Sequence, residues 1–315
     1  MNRANNRHQT LSTTMLILIT IGAVDNIRNL PSTALFGGKI ISFYLLASVL
    51  FLIPCALVSA TLSAQFPEEN GIYSWVKHAF GSRWGFIAVW LQWVENAPFF
   101  PAILSFIAAT IAYLISPTLA NNKIYLVCFV LTVFWTLTVI NIYGLRLSAW
   151  FSSFCTVAGL IVPMALLISM GTIWYLSGRP LALHLTLNNI TPHFNHLSNW
   201  VTMQGVLLSL CGIELATVHA KDTKNPQRSF PIALLISVSI IILTLIAGSL
   251  SIAFIIPIKS LSLVSGIMET FNQFLHAFHL HWLLPIIAIM LVIGCLGGVN
   301  SWIIGPTRGL RIACE

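Results

Sequence analysis

The chain has 315 residues, of which 57% are apolar and only 7% charged, and its mean hydropathy is +0.89. A soluble domain carries about 25% charged residues, so this composition cannot cover its apolar surface in water, and its solvent is lipid. The formal net charge of +7 comes from Lys and Arg scattered along the chain, with no basic run and no aromatic-basic interleaving in a polar segment, which sets nucleic acid aside as a partner.

The polar start MNRANNRHQT is too short to be a domain, and no short apolar core with a small-residue cleavage site follows it, so no removed signal peptide is expected. Eight apolar stretches come next, near 13–34, 40–62, 84–114, 124–143, 148–176, 200–219, 230–256 and 282–304. Each is near or above the roughly 20 residues that span a hydrocarbon core as a helix. Lipid offers backbone amides no partner, and these runs are too long and unalternating for barrel strands, so an all-α integral membrane protein is predicted. Residues 1–315 form a single transmembrane domain with the bilayer as its surroundings.

Three of the acidic residues fall inside these stretches: Asp25 in LITIGAVDNIRNLP, Glu95 in WLQWVENAPFF and Glu214 in LLSLCGIELATVHA. An ionisable group near the bilayer midplane costs roughly 3 kcal/mol, so it faces a cavity or a partner and marks a pathway. Arg28 lies three residues after Asp25 in the first stretch, which allows a local ion pair or a direct substrate or gating role. The sixth stretch repeats the layout of the first, with Gly22 before Asp25 and Gly212 before Glu214, about 190 residues apart. Five helices per repeat account for that interval, with residues 1–176 as the first repeat and 200–305 as part of a second. Helices interrupted at their centres expose N–H groups at one half-helix end and C=O groups at the other, which suits a zwitterion. The other reading of these glycines is close helix packing.

Orientation follows from the basic residues. A cytoplasmic N-terminus puts Arg3, Arg7, Lys77, Arg83, Arg146, Lys221, Lys224, Arg228, Arg308 and Arg311 on the inner side, and Lys39, Lys123, Arg179 and Lys259 on the outer side. That excess predicts a multi-pass protein of the cytoplasmic (inner) membrane with its N-terminus inside. Cys55, Cys128, Cys155, Cys211, Cys295 and Cys314 show no C-x-x-C spacing and read as packing residues. His276, His279 and His281 in HAFHLHW read as an interfacial cluster that titrates rather than a metal site, His219 as an interior residue, and the N-I-T triplet at Asn189 as a chance match. Trp84, Tyr175, Trp200 and Trp282 at span ends fit an aromatic belt. Neither H-E-x-x-H nor G-x-S-x-G occurs, so no enzyme is expected, and no cofactor.

Two segments carry a resemblance that periodicity does not supply. FPEENGIYSWVKHAFGSRWGF (66–86) resembles the loop signature P-x-x-G-G-x-Y-x-x-x-x-x-x-F-G of the amino acid, polyamine and organocation transporter superfamily. GIELATVHAKDTKNPQRSFPIA (212–233) resembles its G-x-E followed by K-N-P-x-R-x-x-P, and with WIIGPTRG (302–309) the nearest branch is the bacterial glutamate/GABA-type amino acid antiporters. The resemblance implies an inverted five-plus-five helix repeat with discontinuous first and sixth helices. It implies a secondary active carrier of amino acids, with amino acid/amine exchange as one mode. It places Val24, Asp25, Asn26 and Ile27 at the first break, Gly212, Ile213 and Glu214 at the second, Asn96 on the third helix and Trp302 on the eighth, around a small amino acid substrate. Arg28, Glu95 and Glu214 are the candidates for gating or proton coupling.

The pattern departs in several places. Relatives often carry G-S-G at the first break and hold the substrate carboxylate on bare amides, whereas Val24, Asp25 and Asn26 include no glycine. Asn70 replaces the first Gly of the loop signature, and Thr61 stands where many relatives carry an acid. Relatives have about twelve spans, so the second repeat is expected to be incomplete, with a non-transporting remnant as the alternative function. The oligomeric state stays open.

Overall fold

The computed structural model describes residues 11–66, 71–116, 118–142, 149–186, 190–191 and 197–314. The Asn70 turn, the Asn189 triplet and the side chain of His219 lie outside the described residues. The chain is built of helices: α1 (Thr13–Val24), α2 (Leu30–Ala34), α3 (Ile40–Ala47), α4 (Ile53–Gln65), α5 (Ile72–Phe80), α6 (Ser82–Ile115), α7 (Lys123–Ile142), α8 (Ala149–Thr156), α9 (Val162–Leu176), α10 (Leu197–Ser209), α11 (Pro226–Ile255), α12 (Gly266–Ala277) and α13 (Leu284–Cys314). π-Helical turns at Ser48–Leu52 and Val157–Ile161 join α3 to α4 and α8 to α9 into single long rods.

Six helices among the described residues are long and apolar enough to cross a membrane: Gly37–Gln65, Ser82–Ile115, Ser153–Leu176, Asn199–Thr217, Pro226–Ile255 and His281–Val299. Helices of this length and apolarity are those of a multi-pass membrane protein. The expected count was eight. The first expected span is interrupted, so neither α1 nor α2 is long enough alone, while α7 (Lys123–Ile142) has 20 residues, of which the apolar stretch Lys123–Thr136 has described side chains. The connection after α11 contains a helix of its own, α12, which carries Glu269 bonded to Ser265.

Local chemistry explains the turns. In the loop motif, Gly71 (φ 78°) and Gly81 (φ 93°) bracket α5 in backbone conformations that side chains rarely adopt, and Tyr73 between them is buried against α6 at Gly85. In K-N-P, Asn225 takes a left-handed conformation (φ 47°) and Pro226 opens α11 at a position where its missing N–H has no helical partner to lose.

Side chains large and small divide the packing. Phe43, Tyr44, Phe230, Phe271 and Phe274 are fully buried in one core, while Leu50, Leu57, Ile124, Leu235 and Leu243 point outward, as a lipid-facing surface requires. Small residues let backbones approach: Gly159 meets Gly294, Gly171 meets Ser251, and Gly297 meets Cys155. Hydroxyl pairs tie the rods together, with Thr33 Oγ1 2.7 Å from Ser249 Oγ and Thr13 Oγ1 donating to Ser229 Oγ at 3.1 Å.

Candidate functional site

Both interruptions are present, and they are made differently. α1 stops at Val24, and Asp25 (φ −70°, ψ 123°) and Asn26 (φ −140°, ψ 104°) run extended into a 3-10 turn, Ile27–Asn29. No residue there has a positive φ, so the break does not need glycine. Side chains hold it. Asn26 Oδ1 accepts from the N–H of Arg28 at 3.2 Å, and Thr244 of α11 donates to Asp25 Oδ2 at 2.7 Å. Val24 and Ile27 are buried in the main core.

The second break follows α10. A turn over 210–212 ends at Gly212 (φ 106°), and a 3-10 segment, Ile213–Asp222, continues. Here glycine is required twice over. The dihedral is one that L side chains rarely take, and a Cβ would lie 3.0 Å from Trp302 Cζ2 and 3.3 Å from Ala23 O. Ile213 is buried, and Gln92 Nε2 donates to Glu214 Oε1 at 3.3 Å.

Trp302 connects the two. Its Nε1 donates to the carbonyl of Ala23 at 3.2 Å, satisfying one acceptor left open where α1 ends. Its ring packs on Phe99 at 4.8 Å and, with Ala23 and Leu215, forms a small apolar cluster separate from the main core.

The third wall is α6, where Gln92, Glu95, Asn96, Phe99 and Ile103 share one face at helical spacing. Pro98 and Pro101 lack N–H groups, so the carbonyls of Val94 and Ala97 lose their helical donors beside this face. Asn96 is buried with Oδ1 unpartnered among the described residues. Glu95 and Glu214 lie close enough to interact electrostatically, with the thiols of Cys55 and Cys211 between them in the same cluster.

A narrow cavity of about 20 Å³, room for about one water molecule, adjoins the first break. Gly22, Asp25, Asn26 and Ile27 line one side and Thr156, Gly159, Gly294, Cys295 and Gly298 the others. Asp25 Oδ1 is buried there without a partner among the described residues.

Trp302 thus joins the two breaks at Ala23 and Gly212 with Phe99 of α6 against its ring, Gln92 of α6 reaches Glu214, and Val24, Ile27 and Ile213 lie in the main core. The structure does not pair Arg28 with Asp25, as one reading of the sequence allowed. The carboxylate bonds to Thr244, while the guanidinium turns to the Phe99 ring, 5.3 Å from its centroid, because the extended residues at the break destroy the helical register that the i, i+3 spacing presupposes. Thr244, Gln92, Phe99 and Thr156 were not anticipated; the available signals were a lone Thr in an apolar helix and a Gln one turn before Glu95. Thr61 donates back to Leu57 O at an exposed position. The rings of His276 and His281 lie 5.4 Å apart, and no group of three metal-binding side chains forms among the described residues.

Comparison with known proteins agrees with this geometry. Residues 11–315 match the amino acid permease family. An uncharacterized transporter of Legionella pneumophila is 41% identical over 311 residues, covering 99% of this chain and 67% of the relative. The glutamate/gamma-aminobutyrate antiporter of Lactococcus lactis subsp. cremoris is 30% identical over 302 residues, covering 94% of this chain and 60% of the relative. A Lactococcus lactis protein named "Probable agmatine/putrescine antiporter" is 25% identical over 272 residues, covering 85% and 56%. The chain spans less than two thirds of the length of both antiporters. These relatives are transporters, not enzymes, and the match over residues 11–315 means that this chain belongs to the amino acid permease family.

Proposed function

We propose that this chain forms the substrate path of a secondary carrier that exchanges amino acids across the cytoplasmic membrane by alternating access, with amino acid/amine exchange as its mode. The observation that carries the reading is the meeting of two helix interruptions at Trp302, which hydrogen-bonds the first and packs on the second. Half-helix ends facing one another present opposite partial charges to a zwitterion. Val24, Asp25, Asn26, Ile27, Asn96, Gly212, Ile213, Glu214 and Trp302 surround the substrate, while Glu95 and Glu214 carry gating or proton coupling. The glutamate and γ-aminobutyrate in one relative's name differ by a single carboxyl group, which supports amino acid/amine exchange.

Counterflow in liposomes tests the site. Labelled glutamate outside and unlabelled amino acid inside should give uptake that Glu214→Gln lowers about 10-fold or more, against less than about twofold for Glu269→Gln on α12. Equal small effects of the two changes remove Glu214 from the mechanism, and absence of counterflow by the unaltered protein overturns the carrier reading.

The same proposal places the N-terminus in the cytoplasm, with residues 1–176 as the first repeat and the second beginning at 200. The basic-residue excess supports it. In a background without the six native cysteines, a cysteine at exposed Thr186 should label from outside and one at exposed Lys224 should not. The reverse pattern inverts every assignment of sides.

A further inference from the structure

Arg28 is, beside Asp25, a charged side chain at the first break with hydrogen-bonding groups left open among the described residues. Nε and Nη1 are buried and without a partner among the described residues. The guanidinium lies over Phe99, and Phe99 in turn packs on Trp302, so the cation is oriented by a stack of two rings rather than by a counter-ion. It lies near Cys295, a residue of the cavity wall that also holds the unpartnered Oδ1 of Asp25. Two buried groups of opposite charge thus stand near one cavity, each with free hydrogen-bonding atoms, and neither satisfies the other.

The backbone amides that follow the break are occupied. The N–H of Arg28 is taken by Asn26 Oδ1, that of Asn29 by Asn26 O at 3.0 Å, and that of Leu30 by Ile27 O. The amides that an interrupted helix would offer a carboxylate are therefore already used over three consecutive residues. A planar guanidinium with free donors at Nε and Nη1 suits a carboxylate, which it meets with directed N–H groups in a fixed plane that an ammonium on the same backbone would not reproduce.

We propose that Arg28 is the carboxylate anchor of the substrate site and so selects ligands that carry a carboxylate over amines that lack one. The inference rests on the carrier reading above and adds the ligand group that the site recognises. Asp25 Oδ1, in the cavity wall, is the complementary acceptor for an ammonium. Preference for a carboxylate then comes from this side chain, added to the field of the half-helix ends.

Equilibrium binding of labelled glutamate, γ-aminobutyrate and putrescine to the purified protein in lipid nanodiscs tests this, since putrescine resembles γ-aminobutyrate with the carboxylate replaced by an aminomethyl group. In Arg28→Gln, affinity for the two carboxylate ligands should fall about 30-fold or more relative to putrescine. Arg28→Lys should recover only part of that ratio, and Arg28→Glu should reverse the order of preference. Thermal unfolding of each variant in the same nanodiscs checks that it is folded. Parallel loss of all three ligands in folded variants, or no loss, overturns Arg28 as the anchor while leaving the carrier reading intact. Failure of the unaltered protein to bind any of the three overturns the carrier reading itself, and the anchor with it.

Discussion

The two interruptions do the same thing to a helix by opposite means. At the second, the backbone itself makes the turn, because Gly212 adopts a φ of 106° and leaves room for the indole of Trp302. At the first, every dihedral is available to an ordinary residue, and the break is held from outside by Asn26, Thr244 and Trp302. A glycine-made break leaves its side-chain positions empty. A side-chain-held break fills them with chemistry, and this is where the acid and the arginine sit. The difference teaches that an interrupted helix need not announce itself by glycine, and that the break without glycine is the one that can be specialised.

Three substitutions sharpen or break this contrast. The largest effect belongs to the residue shared by both sides: Trp302→Ala should lower stability by about 3–5 kcal/mol, since it empties a buried aromatic site and orphans Ala23 O together. Thermal unfolding in detergent measures it, and a loss no greater than that of either break alone would mean the two are not joined through this ring. Next comes Gly212→Ala, expected at about 1–3 kcal/mol because a Cβ meets both Trp302 and a strained dihedral. The same scan of unfolding temperatures reads it, and a neutral result would show that the turn can relax into ordinary backbone. The smallest is Asn26→Ala, about 1 kcal/mol, the usual worth of a side-chain cap. If Asn26→Ala proves more damaging than Gly212→Ala, the division into backbone-made and side-chain-held breaks is wrong.

Much of this architecture could be read in the sequence, for reasons that differ residue by residue. Helix content followed from lipid as solvent, and the positions of both breaks from Gly22 and Gly212 standing before acids in apolar runs. Trp302 entered only through resemblance, because nothing local distinguishes it from the belt tryptophans. Thr244 as the partner of Asp25 was out of reach: it lies 219 residues away, and its meaning depends on how α11 is rotated against α1. Arg28 was misleading for a related cause. Its spacing from Asp25 reads as a helical pair, yet the backbone between them is not helical, so sequence separation ceased to measure distance. Phe99 had no polar signal at all and became important by lying under a cation.

The bond from Trp302 to Ala23 spans 279 residues. A ribosome releasing this chain from its beginning would deliver the first helix to the bilayer long before the ring that completes it exists, and Thr244 would arrive late as well. Throughout that interval an open carbonyl and a carboxylate must be kept from hydrocarbon by water, by an insertion partner or by delayed entry of the segment. The first interruption is thus the earliest part of the chain to be made and among the last to be finished, and the order of synthesis runs against the order of assembly.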